Sequence, residues 1–125
     1  MSSSGWKLAD VHDIPPMADS FSKGWHSVRW FFDIKGFGVN AVTRNKGDWL
    51  TKDHDEVKTG QQELFVILEG AARFTLDGKK VVVPAGGMLA VEPQVVRRAD
   101  SLKTPTTMLI IGSPKNKLYK PASWS

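Results

Sequence analysis

The chain has 125 residues, 41% hydrophobic and 24% charged, with no cysteine and a formal net charge of +4. This length suits one domain with its own core, and the lack of cysteine excludes disulfides, zinc–thiolate sites and thiol nucleophiles. The basic residues are scattered rather than gathered in an aromatic-laced stripe, and no apolar run is long enough to span a bilayer, so neither nucleic acid nor membrane is an expected partner.

Residues 1–26 read as an irregular arm packing on the body. Its start, M-S-S-S-G-W-K, lacks the apolar core of a signal peptide, which makes the cytoplasm the default location. Pro15-Pro16 forbids regular structure there. Trp6, Leu8, Val11 and Ile14 are its anchors, while His12 and His26 have no acidic partner at ligand spacing. From Ser27 the pattern turns to short strands, read over Val28–Lys35, Phe37–Arg44 and Trp49–Glu56. Glu63–Glu69 follows, apolar on both faces and expected to be buried on both. Ala72–Leu76, Lys79–Val83, Met88–Glu92, Val95–Ala99 and Thr106–Ile111 complete the set. Asn45–Asp48, Asp77-Gly78 and Pro84–Gly87 supply turn chemistry between them. About nine strands spaced some ten residues apart, with no helical period, argue an all-β antiparallel sandwich or barrel over 27–112. The tail, 113–125, is expected to be extended, with Tyr119 and Trp124 packed on the body. Trp25, Trp30 and Trp49 are candidates for a homodimer face, because aromatics are enriched at interfaces.

The chemistry concentrates in Asp53–Gly70, D-H-D-E-V-K-T-G-Q-Q-E-L-F-V-I-L-E-G. Residues two apart on a strand share a face. His54 and Glu56 therefore point together, as do Glu63, Phe65 and Ile67 on the next strand. A hairpin folding one face onto the other brings one imidazole and two carboxylates together. Such a group serves as a metal site, a proton-transfer site or a buried ion-pair cluster; the acidic turn could also be solvated. Glu63 heads a strand that reads as core, where an unpaired carboxylate is costly.

Laid out this way, the chain resembles the cupins, small double-sheet β-barrels. Glu63, six residues and Gly70 match the end of the first cupin motif. Gly47, six residues and His54-Asp55-Glu56 stand where the family has a glycine, five residues and H-x-H, so Glu56 replaces the second histidine. For the second motif, Gly87, Pro93, Val95 and Arg98 fit the spacing, with Arg98 in the place of the last histidine; Gly78, Pro84, Gly86 and Leu89 fit it too. F-G-V-N-A, D-H-D-E, E-L-F-V-I-L-E-G and P-A-G-G resemble small stand-alone bacterial cupins of unassigned function. The resemblance implies an antiparallel jelly-roll barrel with little or no helix, and no single activity.

It further implies a divalent ion (manganese, iron, zinc or nickel) on His54, Glu56 and Glu63, with oxygenase, isomerase or decarboxylase chemistry on a small polar or anionic substrate and His54 and Glu63 as catalytic groups. The rival reading starts from Arg98, which has no lone pair for a metal. Facing inward, it would neutralise Glu63 or Glu56 and leave a metal-free binding pocket. Only one of Arg97 and Arg98 can face inward, and a one-residue slip exchanges them. Asn40, Phe65, Ile67 and Phe74 complete the expected pocket lining.

Overall fold

A computed structural model describes residues 5–17 and 24–124; the rest of the expected arm, 1–4 and 18–23, lies outside the described residues. The strands form two antiparallel sheets. Sheet A holds β1 (Trp25–His26), β2 (Gly38–Arg44), β9 (Thr106–Pro114), β4 (Gln61–Glu69) and β7 (Met88–Val91), in the order β1-β2-β9-β4-β7. Sheet B holds β3 (Trp49–His54), β8 (Arg97–Ser101), β5 (Ala71–Leu76) and β6 (Lys79–Pro84), in the order β3-β8-β5-β6. Apart from β1 with β2 and β5 with β6, consecutive strands cross between sheets, which is the jelly-roll solution to burying two amphipathic faces. The expected all-β double-sheet fold is what forms.

Alternation along the strands builds the core. Val42, Phe65, Ile67, Met108 and Ile110 from sheet A meet Leu50, Ala72, Phe74 and Ala99 from sheet B. Phe65 and Phe74 touch edge to face at 5.1 Å between ring centres, the arrangement their quadrupoles favour. Asp77 and Gly78 both take positive φ, 48° and 85°, as a two-residue hairpin turn between β5 and β6 requires. Gly70 also has positive φ, where the chain leaves β4 for β5, and a Cβ there would meet the Pro105 carbonyl oxygen at 2.5 Å. Only glycine fits that crossing.

Several expectations are corrected. Val28–Lys35 is not a strand: Val28–Phe32 forms one helical turn or so, α1, closed by Asp33 in the left-handed region. Its branched and aromatic residues suit a strand, but β2 already has β1 and β9 on its two edges. The segment instead packs on the outer face of β2, where Val39 and Ala41 are buried. Strand propensity yields to context here. β4 is buried on one face only: Glu63, Phe65 and Ile67 point in, while Leu64 and Val66 are half-buried and Leu68 is exposed. Of the arm's anchors Ile14 is buried and Val11 half-buried, whereas Trp6 and Leu8 are exposed, as are Tyr119 and Trp124 in the tail. Among the described residues no helix is long and apolar enough to cross a membrane.

Candidate functional site

β3 runs along one edge of sheet B and ends at His54; the chain then turns through 55–60 and enters β4 at Gln61. Asp55 Oδ1 accepts from Val57 N at 3.1 Å, and Glu56 O accepts from Gly60 N at 2.7 Å, which closes the turn. Glu56 N donates to Pro93 O at 2.9 Å, anchoring the turn to the loop before β8. The hairpin thus folds His54 and Glu56 over the start of β4. One donor atom from each of His54, Glu56 and Glu63 lies within 4.8 Å of the others, as the sequence reading expected.

The three groups differ in setting. His54 Nδ1 lies 2.7 Å from Lys52 O. A carbonyl only accepts, so Nδ1 carries a proton, and in the neutral ring Nε2 holds the lone pair. That nitrogen faces Glu56 Oε1 at 3.6 Å. Glu56 Oε2 accepts from Thr59 Oγ1 at 3.1 Å. Glu63 lies deeper, on the inward face of β4. Burial pushes its carboxyl above the ordinary glutamate value, nearby Glu56 adds to the rise, and Arg97 opposes it.

Arg97 corrects the sequence reading. It, not Arg98, faces the interior: its side chain is fully buried and Nη1 donates to Glu63 Oε1 at 2.6 Å. Nε donates to Val95 O at 3.1 Å and Nη2 to Glu92 O at 2.5 Å, so the guanidinium is fixed on three sides. Arg98 turns to the outer face of sheet B. There Nη1 meets Asp53 Oδ1 at 2.9 Å and Nε and Nη2 meet Asp100. The hydrogen bond from Arg98 holds Asp53 below its ordinary value. The register is set by pairing: Arg97 stands opposite His54 and Leu76, and the inward set is Arg97, Ala99 and Ser101. A one-residue slip would put Arg98 and Asp100 inside and the small residues outside. The i, i+2 opposite charges of Arg98 and Asp100 were the readable signal, since such a pair marks a solvated face.

Beside this group a cavity of about 350 Å³ opens between β1 and β3, lined by Trp25, Trp49, Thr51, Lys52 and Asp53 together with His54 and Glu56. Trp25 Nε1 donates to Leu50 O at 3.1 Å, tying the short β1 to β3. Trp49 has the Arg44 guanidinium 4.4 Å and the Lys52 ammonium 4.9 Å from its ring centre. Trp30 is elsewhere, exposed on α1, so the three tryptophans do not share a face. Phe65, Ile67 and Phe74 pack the core instead of lining this cavity. Asn40 is half-buried on β2 opposite Ile110 and does not line it either. Sequence reasoning missed Trp25, Trp49, Thr51, Lys52 and Asp53 as lining residues. Trp25 gave no signal, because its place depends on a two-residue strand.

The ligand set reaches far enough for a divalent ion: a lone-pair nitrogen whose ring is pinned by a carbonyl, and two carboxylates. Its charge fits less well. Two carboxylates and one guanidinium leave a single net negative charge, and Arg97 already occupies one oxygen of Glu63.

No protein-family model matches the chain, and no curated protein matches it. Solved structures do. A cupin protein from Bacteroides fragilis superposes with a TM-score of 0.71 at 20% identity, over 88% of this chain and 92% of that one. A sugar phosphate isomerase of the cupin superfamily from Silicibacter pomeroyi gives 0.68 at 18% identity, over 86% and 75%. A conserved protein of unknown function from Streptococcus pyogenes gives 0.66 at 15%, over 89% and 90%. Likeness at these identities speaks for architecture, and it establishes this chain as a small single-barrel protein of the cupin fold.

Proposed function

We propose that the protein binds a small polar molecule in the cavity between β1 and β3 and moves a proton on it with His54, without a resident metal. The observation that carries this is the buried Arg97–Glu63 pair at 2.6 Å. It neutralises the deeper carboxylate with a charge that cannot leave, taking the role a cation would otherwise fill. His54 then presents Nε2 beside Glu56 in the cavity lining, placed to accept a proton from a bound ligand. Glu56, 3.6 Å away, stabilises the imidazolium that results. The name of the Silicibacter neighbour supports a hydroxy-carbonyl substrate, whose isomerisation is proton transfer between adjacent carbons. Lys52 on the cavity wall suits an anionic end of such a molecule.

A second reading is favoured by one observation, the convergence of His54, Glu56 and Glu63. These residues would hold a divalent ion, which would polarise an oxygen of the substrate. Elemental analysis of untagged protein purified without chelator separates the two. The metal-free reading expects substoichiometric metal and no thermal shift with manganese, iron, nickel or zinc. Stoichiometric metal that is lost in His54→Ala overturns it. For the reaction, solvent deuterium exchange into candidate sugar phosphates, followed by proton NMR, is expected with wild type and absent with His54→Gln. Exchange that His54→Gln leaves intact removes His54 from the chemistry.

A further inference from the structure

Two histidines that the proposed chemistry does not use bracket the buried stretch of the N-terminal arm. His12, in the single turn Val11–Asp13, has Nε2 3.2 Å from Glu69 Oε1. The same oxygen accepts from Thr107 Oγ1 at 2.6 Å, and Thr107 Oγ1 lies 2.9 Å from Thr43 Oγ1. With the Thr107 proton spent on Glu69, Thr43 is the donor in that second bond. Thr43, Thr107 and Glu69 are cross-strand neighbours on β2, β9 and β4, so this row fixes the carboxylate that the arm meets. The turn that carries His12 is set by Asp10, whose Oδ1 accepts from His12 N at 2.9 Å. His12 and Glu69 are both about half exposed. An ion pair in that setting adds little to the barrel as a whole, so its loss acts on the arm and leaves the fold standing.

From this clasp the arm leads to the cavity wall. Ile14 is buried, and its carbonyl accepts from His26 Nδ1 at 2.6 Å. Pro16 bridges to His26, and Met17 N donates to Trp25 O at 2.8 Å. β1 is thus held from two sides: by β2, with Trp25 opposite Val42 and His26 opposite Ala41, and by the arm. A strand of two residues has few ladder bonds of its own and needs both. The Trp25 indole reaches β3 through one hydrogen bond, to Leu50 O, so its seat follows the β1 backbone. Residues 10–17 do not line the cavity, yet they carry part of its geometry through Trp25.

We infer that His12 is a positioning residue of the binding site: by clasping Glu69 it holds the arm, and the arm holds Trp25 in the cavity wall. This rests on the reading of that cavity as the ligand site, but its test needs no ligand, so failure to find a substrate and failure of the clasp are separate results. With Trp6, Trp30 and Trp124 changed to Phe, emission comes from Trp25 and Trp49 alone, and of these two Trp25 is bonded to the arm. Acrylamide quenching of this parent, on the full chain and well below its unfolding midpoint, is expected to rise at least about twofold when His12→Ala is added. His12→Gln, which keeps an N–H for Glu69, is expected to stay near the parent. Glu69→Ala is expected to match His12→Ala, and the two together to do no more than either alone. Unfolding midpoints are expected to move little. Quenching indifferent to His12→Ala overturns the inference, because Trp25 would then be held without the clasp. A rise that His12→Gln shares, or additive effects of the two alanine changes, also overturns it, because the contact with Glu69 would not be the cause. So does a rise matched by a large fall in midpoint, because the whole barrel would have loosened.

Discussion

Two adjacent arginines divide the chemistry of this protein between inside and outside. Arg97 is wholly buried on Glu63, whereas Arg98 is about a third exposed among surface carboxylates. Removing one partner of a buried pair strands the other, so Arg97→Met is expected to cost roughly 3–5 kcal/mol in denaturant unfolding. Replacing both, Arg97→Met with Glu63→Leu, should recover most of that loss, since a well-packed apolar pair of similar volume is near neutral. Arg98→Ala is expected to cost about 1 kcal/mol or less, because water screens its partners. A second residue-scale test concerns pH. Burial raises Glu63 above the ordinary value of 4.5, so the native protein takes up this proton more readily than the unfolded chain. Its contribution to stability is therefore fully present below that value and is lost as pH rises through the raised one. The unfolding free energy of wild type relative to Glu63→Gln is expected to fall between mildly acidic and neutral pH. A flat difference would mean that Glu63 titrates normally.

At the scale of elements, what the sequence reveals depends on how local the cause is. The Asp77-Gly78 hairpin is readable because its turn needs two residues at positive φ, a demand met within the turn itself. The convergence of His54, Glu56 and Glu63 is readable for a similar reason, since a short turn joins the two strands that carry them. The inward arginine is harder, because register is fixed by β3 and β5 lying on either side of β8. α1 and the wall supplied by Trp25 are not legible at all, because each depends on which edges of β2 are already taken. The glycines separate in the same way. Gly70→Ala would drive a Cβ to 2.5 Å from both Pro105 O and Thr106 Oγ1, at φ 76°. It is expected to destabilise by roughly 3 kcal/mol or more. Gly60 also has positive φ, but a Cβ there meets nothing within 4 Å. Gly60→Ala should cost only the conformational term, about 1–2 kcal/mol, and thermal or denaturant unfolding of the two variants measures the difference.

For the whole molecule, the barrel's two open features point in different directions. The cavity lies between the edge strands β1 and β3, while Leu68 on β4 and Met88 on β7 stand exposed on the outer face of sheet A. A change at either of those two positions therefore lies outside the cavity lining. Ligand affinity measured by calorimetry is expected to be the same for wild type and Met88→Lys. A loss of affinity in Met88→Lys would show that the two regions are coupled.

The placement of the tryptophans gives the protein an optical reporter of its own. Trp6, Trp30 and Trp124 are exposed and emit as solvated indoles whether or not the cavity is filled, whereas Trp25 and Trp49 form its wall. A molecule settling there displaces water from those two rings and, through Lys52, alters the charge beside Trp49. Intrinsic fluorescence should shift on ligand entry, and a soluble quencher should distinguish the two shielded rings from the three exposed ones. Compound collections can then be screened without a label before any reaction is known.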